Sequence, residues 1–440
     1  MADANQPSPP LGEPSLPENP TLLWGMKLIP ISDTPANFLA TGGIGSGKTI
    51  SLRLLMQSAL SLIGLGLDHR ALVYDAMGTL APILRRMDLR CPIHVLNPFD
   101  RQRAAWDIAA DVESPSAARQ LAASLVPADE SEEPFLDGAA REILAAVCRS
   151  FIKNSPGNWT LRDLVLGVRT RERLQALLAS SPRSAPAALS CIENERICAG
   201  VLELLATKMA SFEVIAACWQ RASAKLSLER WLQEESVIVL GADPDLDCSV
   251  VLINQVILNQ LAHTILGQRE SATRRTWIFL DEVSTAGRLE AMPGLMQRGH
   301  SKGVCVALAM QRLQDIRKLY GAATADALAA LCSHQTALQT GDPQTAQWAE
   351  GHFGPPVRAA ALMTLPLTGP KHGFAGFHRT PSAGTYFAHK PWDWVLANLR
   401  PPTDATLRQD FRHESEPLLE DWTEEDYKRL GFCAPLSPGC

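Results

Sequence analysis

The 440-residue sequence lacks paired cysteines, an excess of charge of either sign and a long apolar run. Its ten cysteines are scattered without a C-x-x-C pair, and no secretory signal precedes them, which predicts reduced, mostly buried thiols in the cytoplasm. A net charge of −6 argues against a protein that coats nucleic acid through its overall charge, although a local basic channel is compatible with it. The apolar stretch Leu54–Leu67 comes closest to a membrane span, but it is shorter than the ~18–20 residues needed and contains polar residues. We therefore expect no transmembrane segment in this chain.

Strand and helix patterns divide the chain into five parts. Short runs of β-forming residues alternate with apolar helices on both sides of a region with helical periods only. This predicts an α/β domain with a largely parallel sheet, interrupted by an all-α insertion. The predicted strands lie at residues 37–41, 71–75, 93–97, 236–241, 276–280, 304–310 and 336–339. The five parts are a disordered proline-rich arm at 1–20, the first part of the α/β domain at 21–106, the helical insertion at 107–231, the second part of the α/β domain at 232–395 and an acidic C-terminal segment at 396–440.

The first functional motif is GGIGSGKT, which fits G-x-x-x-x-G-K-[ST] between a predicted strand and a predicted helix. Glycines allow successive backbone N–H groups to surround phosphate oxygens, and the helix N-terminus adds positive potential. The lysine would reach the β- and γ-phosphates of ATP, and the threonine hydroxyl would hold Mg²⁺. The alternative, an accidental glycine-rich turn, is disfavoured by the strand–turn–helix context. The predicted nucleotide-binding residues are Gly42, Gly43, Ile44, Gly45, Ser46, Gly47, Lys48 and Thr49.

Two adjacent carboxylates end the apolar strand of the stretch IFLDEV. Downstream of a phosphate loop this has the form of a Walker B strand, in which Asp281 would hold the Mg²⁺ shell and Glu282 would polarise the attacking water. Another apolar run, VCVALAM, ends at Gln311, whose neutral amide can contact the γ-phosphate or the water without competing for the metal. The alternatives are a strand that ends at the surface in solvated acids and a glutamine that is merely exposed.

The order of these motifs resembles that of the type IV secretion coupling proteins, the TraG/TraD-like motors of conjugative DNA transfer. The most specific segment is Leu280–Gly321, where D-E, a glycine-rich turn, G-x-x-x-G, a strand ending in glutamine and Y-G follow one another at closely matching spacing. Supporting segments lie at residues 95–100, 106–108, 341–348 and 362–377. The similarity runs from the phosphate loop to about residue 390.

This resemblance implies a RecA-like ATPase motor domain with a helical domain inserted after the third strand. It also implies a homo-hexameric ring that threads DNA, expected to be single-stranded, through its centre. Lys48 and Thr49 match the family's Walker A positions, Asp281 and Glu282 match Walker B, and Gln311 matches the glutamine of the sensor strand. The implied partners are a secretion-channel or membrane-anchoring protein and a relaxase-like substrate-processing protein. Such a partner would hold this cytoplasmic chain at the inner face of the membrane.

Three features depart from the family pattern. Membrane helices usually precede the phosphate loop, whereas only the proline-rich arm does here, so membrane attachment would need a partner. The family often has Gly-Arg-x-x-Gly after Walker B, with the arginine serving a neighbouring subunit's ATP, and here His300 stands in its place. Because Arg298 keeps its charge at any working pH, we predict it as the trans finger ahead of Lys302 and His300. In DAMG, Met77 stands where a lysine is common.

The favoured function is an ATP-driven translocase that delivers DNA or nucleoprotein to a type IV secretion channel. An FtsK/HerA-like pump for double-stranded DNA and a substrate receptor that uses ATP only as an assembly switch are the alternatives. DNA contact should come from basic residues along a pore, for which Arg312–Gly321 is a candidate, with a solvated helix face as the alternative. The acidic segment Glu414–Arg429 is expected either to dock on a partner protein or to pack Trp422 on its own motor domain.

Overall fold

A computed structural model describes residues 19–100, 104–127, 134–179, 186–241, 249–399 and 418–432. The predicted disordered arm lies almost entirely outside this part of the chain. The elements before the insertion are β1 Thr21–Trp24, β2 Lys27–Pro30, β3 Phe38–Thr41, α1 Lys48–Leu60, β4 His69–Asp75, α2 Leu80–Arg85, β5 Ile93–Val95 and β6 Ala104–Trp106. The insertion contains α3 Ile108–Asp111, α4 Pro115–Leu125, α5 Pro134–Asn154, α6 Leu161–Gly167, α7 Arg171–Ala179, α8 Pro186–Glu193, α9 Glu195–Ala210, α10 Glu213–Gln220, β7 Ala224–Leu226 and α11 Leu228–Trp231. The remaining elements are β8 Val237–Gly241, α12 Ser249–Gly267, β9 Arg275–Leu280, α13 Met292–Arg298, β10 Val304–Met310, α14 Leu313–Tyr320, α15 Ala322–Ala330, β11 His334–Ala337, α16 Pro343–Phe353, α17 Ala359–Thr364, β12 Phe374–Thr380, β13 Gly384–Lys390, α18 Trp392–Asn398 and α19 Glu424–Leu430.

The main sheet has nine strands in the order β13-β12-β11-β3-β10-β9-β4-β8-β5. The strands from β11 to β5 are parallel, and β12 and β13 add an antiparallel edge. Every residue of β3, β4, β9 and β10 is buried, as expected for parallel strands covered on both faces. Neighbouring residues of β3 face different cores, since Phe38 and Ala40 pack on the α1 side and Leu39 on the opposite side. The predicted α/β fold with a largely parallel sheet is confirmed.

The seven predicted strands are all present, with ends within two residues of the predicted ones. Continuous apolar runs marked them because both of their faces are buried. The strands that the sequence did not predict lack such continuous apolar runs. β12 contains His378 and Arg379, and β13 is only partly covered. The short strands β1 and β2 form a separate two-stranded sheet.

Between β6 and β7 the described chain is entirely helical. The long helix α5 packs against α4, α7, α8 and α9 and forms the centre of this region. Thr160 begins α6 with a capping box, in which it exchanges hydrogen bonds with Asp163. The expectation of helices alone was wrong at β7, which pairs in parallel with β6. This pairing joins the two ends of the insertion, and three residues are too few to leave a strand pattern in the sequence.

Among the described residues, α12 alone is long and apolar enough to cross a membrane by length and composition. About 61% of its apolar window is buried inside the protein, and it packs against α4 and α13. The choice of Leu54–Leu67 as the segment closest to a membrane span was therefore wrong. In that segment α1 ends at Leu60, whereas α12 continues for 19 residues as an apolar core helix.

Residues 418–432, here called the C-terminal clasp, pack on the helical insertion. Trp422 is 8% exposed, and its indole N–H donates a hydrogen bond of 3.0 Å to Asp163. The guanidinium of Arg173 lies 4.9 Å from the centre of the Trp422 ring and donates to both carboxylate oxygens of Asp421 at 2.6 and 2.7 Å. The Trp422 ring packs over Gly167, where a Cβ would lie at 3.4 Å from the ring and at 3.0 Å from Leu177.

Two further arginines hold the clasp through buried or half-buried ion pairs. Arg162 donates to the backbone oxygens of Glu420 and Asp421, and its charge pairs with Asp426 at 3.2 Å. Arg429 pairs with Asp163 at 2.8 Å. Trp422 thus packs on its own chain, but on the insertion and not on the motor domain as expected. The buried indole is not available to a partner, whereas docking by the rest of the acidic segment stays a prediction; Glu414 lies outside the described residues.

The candidate DNA-contact element forms α14 and the residues at its two ends. Its apolar side buries Leu313, Ile316 and Tyr320. The basic residue Arg317 is paired with Asp326 of α15 at 2.9 Å, so its charge is partly neutralised.

Candidate active site

Four neighbouring strands end at one edge of the sheet. Because β3, β10, β9 and β4 are parallel, the residues that follow them lie side by side. This is the edge at which open α/β sheets bind ligands. The phosphate loop, residues 42–49, follows β3, while Gln311 follows β10 and Asp281 follows β9. This edge therefore brings together every predicted site residue except Arg298.

Glycine is sterically required at Gly47, the residue before α1. Its φ of 104° lies in the left-handed region, and a Cβ there would lie 2.8 Å from the Phe374 ring and from the Thr368 hydroxyl. Ser46 is buried, and its hydroxyl donates to the Gly43 carbonyl at 2.8 Å. These contacts fix the loop in a tight turn directly before the helix N-terminus.

Two residues outside the motif hold the loop from neighbouring elements. The Gly43 N–H donates to the carbonyl oxygen of Gln339, just after β11, at 2.7 Å. The Thr368 hydroxyl donates to the Ser46 carbonyl at 2.6 Å, and the Thr368 N–H donates to the Gly45 carbonyl at 3.1 Å. The sequence analysis missed both roles, although Thr368 lies in the segment 362–377 that supported the family resemblance.

The residues predicted to belong to Walker A and Walker B are in direct contact. The Thr49 hydroxyl lies 2.9 Å and 3.2 Å from the two carboxylate oxygens of Asp281. The Lys48 side chain is buried, and its Nζ donates to the Gly43 carbonyl at 3.0 Å, so its charge lies within the loop. Residues more than 230 positions apart in the sequence thus form one cluster.

Burial sets the pKa values of this cluster. Desolvation lowers the pKa of Lys48, while the nearby charges of Glu282 and Asp281 act in the opposite direction. Desolvation raises the pKa of Asp281, against the hydrogen bond from Thr49 and the charges of Lys48 and Arg53. Arg53 lies one turn after Thr49 on α1, and desolvation lowers its pKa against the charge of Asp281. Sequence analysis did not identify Arg53, because nothing in the motif indicates which face of α1 meets β9.

Glu282 has a strained backbone. Its φ of 68° and ψ of 75° place a residue with a side chain in the left-handed region, which is uncommon and costs about 1–3 kcal/mol. The following 3₁₀ turn, Val283–Ala286, stabilises this conformation, since Thr285 donates to the Glu282 carbonyl from both its N–H and its hydroxyl. The Ser284 hydroxyl donates to the Glu282 carboxylate at 2.8 Å. Strain of this kind is typical of residues whose direction matters for function.

Gln311 shares a cleft of about 680 Å³ with the phosphate loop. The cleft is lined by Gly43 and Ile44 on one side and by the residues after β11, including Gln339, on the other. The Ile44 side chain is 79% exposed at the tip of the loop. Gln311 therefore stands beside the phosphate loop, as its position after a parallel strand predicts.

The donor set at this edge fits magnesium. Mg²⁺ is usually bound by one or two protein oxygens together with water and phosphate oxygens. The Thr49 hydroxyl and the Asp281 carboxylate supply such oxygens 2.9 Å apart. Within the described ranges, no three His, Cys, Asp or Glu side chains group into a metal site. The site therefore fits an ion shared with a nucleotide better than an ion held by the protein alone.

The three candidate finger residues lie at the opposite edge of the sheet. Arg298 ends α13, and His300 and Lys302 lie in the 3₁₀ turn that precedes β10. The seven residues of β10 separate them from the phosphate loop of the same chain by about 20 Å. Arg298 and His300 are exposed, whereas the Lys302 ammonium lies 3.9 Å from Glu270. Arg298 is thus the one predicted catalytic residue that is not brought to the site within this chain.

The glycines of the G-x-x-x-G motif allow the turn before β10. A Cβ on Gly299 would lie 2.4 Å from the Leu295 carbonyl oxygen. Gly303 has a φ of 84°, and a Cβ there would lie 2.2 Å from the Arg274 carbonyl oxygen. Backbone atoms cannot move aside cheaply, so both positions require glycine.

A sequence model of the family described as the type IV secretion-system coupling protein DNA-binding domain matches residues 26–357, more than half of the chain. The chain belongs to this family. It is 21% identical over 328 residues to the coupling protein TraD of Escherichia coli, an alignment that covers 72% of this chain and 44% of TraD. The chain therefore matches less than half of the length of that relative.

Several solved structures, two of them of a coupling protein, share the fold. The unbound conjugative coupling protein TrwB superimposes with a TM-score of 0.69 at 16% identity, covering 86% of this chain and 89% of that chain. TrwB in complex with ADP and Mg²⁺ gives a TM-score of 0.67 at 17% identity, covering 90% and 92%. VirB4 of Thermoanaerobacter pseudethanolicus gives 0.55 at 12% identity, covering 86% and 96%. The expected RecA-like motor fold of this coupling-protein family is thereby confirmed.

Proposed function

We propose that this coupling protein is an ATP-hydrolysing motor that moves DNA, or DNA with attached protein, toward a type IV secretion channel. The observation that carries the proposal is the cluster at the sheet edge, where Thr49 contacts Asp281 at 2.9 Å and Lys48 lies within the phosphate loop. Binding a nucleotide needs the loop alone. A second carboxylate with a fixed direction, Glu282, is what hydrolysis adds.

Each residue of the cluster has a distinct part in the proposal. The loop amides and the Lys48 ammonium bind the β- and γ-phosphates, and the carboxylates beside Lys48 favour its charged form. Thr49 and Asp281 hold Mg²⁺, which when bound neutralises charge on the phosphates. Glu282 orients and polarises a water molecule, and the Ser284 hydroxyl orients its carboxylate by donating to it at 2.8 Å. Gln311 contacts the γ-phosphate or that water from the neighbouring strand.

Assembly into a homo-hexameric ring would complete the site. Arg298 lies about 20 Å from its own phosphate loop, so it would serve the ATP of a neighbouring subunit. An exposed arginine at the opposite edge of the sheet is suited to such a trans contact, because the neighbour can approach that edge. Lys302 and His300 remain the next candidates.

The moved substrate in this proposal is DNA, with single-stranded DNA as the expected form. Two basic residues of this element are exposed: Lys318 on α14 and Arg312, which directly precedes the helix. They would contribute to a pore surface together with equivalents from other subunits. A secretion-channel or membrane-anchoring protein and a relaxase-like protein are the proposed partners, which would keep the motor at the cytoplasmic face of the membrane.

Displacement of streptavidin from biotinylated single- and double-stranded tracks tests this function. The parent protein is expected to displace streptavidin from single-stranded tracks with ATP, and the Lys48→Ala variant is not. Displacement from duplex tracks alone would favour a double-stranded DNA pump. ATP turnover and DNA binding without displacement from either track would contradict a motor and favour a receptor switched by ATP.

A further inference from the structure

A groove lined mostly by polar and charged residues lies where the helical insertion meets the motor domain. It has a volume of about 930 Å³ and lies between α4 on one side and α12 with the segment after Walker B on the other. Its lining includes basic and amide side chains from both sides: Arg119, Arg141, Gln255, Asn259, His263 and Arg288. We call this feature the α4–α12 groove.

One face of α4 is free to line this groove. Ala118, Leu121, Ala122 and Leu125 form the opposite, buried face of the helix. Arg119 is exposed and makes no hydrogen bond or ion pair with any described residue. Arg141 donates from Nε to the Val126 carbonyl at 2.6 Å, which fixes its guanidinium at the C-terminal end of α4. The α4 side of the groove thus presents positive charge in a fixed place.

The lining carries more positive than negative charge. Among the described residues that line it, Glu290 is the one acid, and it is paired with Arg288 at 2.6 Å. The acidic stretch 129–133 follows Pro127 in the sequence, outside the described residues. Among the described residues, His263 is the one ring in the groove lining, which contains no Phe, Trp or Tyr, so the groove suits phosphates and sugars better than a series of stacked bases. The helix from Leu252 to His263 rises about 16 Å, enough for about five phosphates of a stacked strand.

The α12 side of the groove is bonded to the turn that follows the catalytic carboxylate. The Gln255 amide donates to the Ala286 carbonyl at 2.9 Å, at the end of the 3₁₀ turn after Glu282. Gln255 also lies so close to Gly287 that a Cβ there would be 2.0 Å from its nitrogen. Asn259 accepts a hydrogen bond from the Ala291 N–H at 3.1 Å. A ligand that shifts the Gln255 amide would therefore shift this turn.

From this arrangement we infer that the α4–α12 groove binds the sugar–phosphate backbone of single-stranded DNA and that Gln255 transmits its presence to the Glu282 turn. The inference rests on the proposed motor function and names one place where the substrate is sensed. Arg119 is a binding residue in this account, and Gln255 is a positioning residue, because it acts through the turn and does not touch the nucleotide.

The binding part is tested by fluorescence anisotropy of a labelled oligothymidylate with the full-length Arg119→Gln variant. Each phosphate contact on single strands contributes about 0.7 to the slope of log affinity against log salt, so losing one weakens binding about fivefold near 0.1 M salt. The matched control is Arg196→Gln, an exposed arginine on α9 of the same insertion that does not line this groove. It should leave both affinity and slope unchanged.

The coupling part is tested by ATP turnover of Gln255→Ala with and without the oligothymidylate. We expect the ratio of the turnover rates with and without DNA to fall to about one, while the affinity for DNA stays within about twofold of the parent. Equal effects of Arg119→Gln and Arg196→Gln would overturn the groove as a binding site. Stimulation that survives in Gln255→Ala would overturn the coupling. A parent protein that binds no DNA would overturn the proposed function itself. If the parent binds DNA and is stimulated by it, and both variants behave like the parent, only the inference about the groove is overturned. If the parent protein bound polyglutamate as tightly as the oligothymidylate, the groove would be assigned to an acidic peptide instead of DNA.

Discussion

The Trp422→Ala substitution should release the C-terminal clasp without unfolding the sheet. Trp422 is 8% exposed, donates to Asp163 at 3.0 Å and packs edge-to-face on Tyr427 and Phe432 at 5.5 and 5.2 Å between ring centres. Truncating a buried tryptophan costs about 3–5 kcal/mol. This corresponds to an increase in the undocked population by about two to three and a half powers of ten. The seven-residue helix α19 is too short to persist alone, so the protection of its amides from hydrogen exchange depends on docking.

Hydrogen-exchange mass spectrometry of the full-length protein measures this release directly. Amides of α19 should lose about 10²- to 10³-fold of their protection, whereas amides of β10 should keep theirs. The control Trp422→Phe keeps the aromatic packing and loses the hydrogen bond to a charged group, which predicts a smaller loss of about 1.5–3 kcal/mol. Unchanged protection of α19 in Trp422→Ala would refute the reasoning. Equal loss in α19 and β10 would show that the clasp unfolds only with the whole protein.

The same clasp should loosen in acid. Burial by itself would raise the pKa of Asp426, but hydrogen bonds from Thr423, Arg162 and Arg429 outweigh it and hold that pKa well below its ordinary value. A carboxylate with a depressed pKa contributes stability that is present above its unfolded pKa of about 3.9 and is lost as the pH falls toward the folded value. Protection of α19 should therefore be constant from pH 8 to about 5 and decrease below about 4. Constant protection down to strong acid would contradict this contribution.

Three further predictions concern the motor. Arg298→Ala should lower ATP turnover about 10³-fold. Excess Lys48→Ala protein should restore it in mixed rings, and a parental rate in Arg298→Ala alone would remove this residue as the finger. Gln311→Ala should keep nucleotide affinity while turnover falls about 10²-fold, and equal loss of both would contradict its proposed role. Gly303→Ala should lower stability by about 2–5 kcal/mol, because left-handed backbone and a clash with a carbonyl add up. Gly384→Ala, left-handed but without a neighbour within 4 Å, should cost only about 1–2 kcal/mol, and equal denaturant midpoints for the two would refute the steric argument.

Local sequence patterns were sufficient for the parallel strands and the phosphate loop. Strands such as β9 and β10 are buried on both faces, so their apolar runs are continuous and easily recognised. The phosphate loop is defined by residues within one turn of chain, and the neighbouring strand ends follow from parallel topology. Asp281 and Gln311 could therefore be assigned to the same edge before any coordinates.

Contacts between distant segments could not be predicted in this way. Gln339 and Thr368 hold the phosphate loop from almost 300 or more positions away, and one of them does so through a backbone oxygen that carries no residue signature. The acidic C-terminal residues looked available to a partner because their arginine partners lie about 250 positions earlier, on α6 and α7. The proposed target of Arg298 belongs to another subunit, so no contact among the described residues marks this side chain as the finger.

The central claim is that the cluster at the sheet edge hydrolyses ATP, with Glu282 acting on the water and not on the metal. The most direct measurement is the rate of ATP hydrolysis by Glu282→Gln, with and without single-stranded DNA, together with ATP binding in the same preparation. The account predicts binding close to that of the parent and a rate lower by about 10²- to 10⁴-fold under both conditions. Hydrolysis at the parental rate, or loss of ATP binding along with hydrolysis, would contradict it.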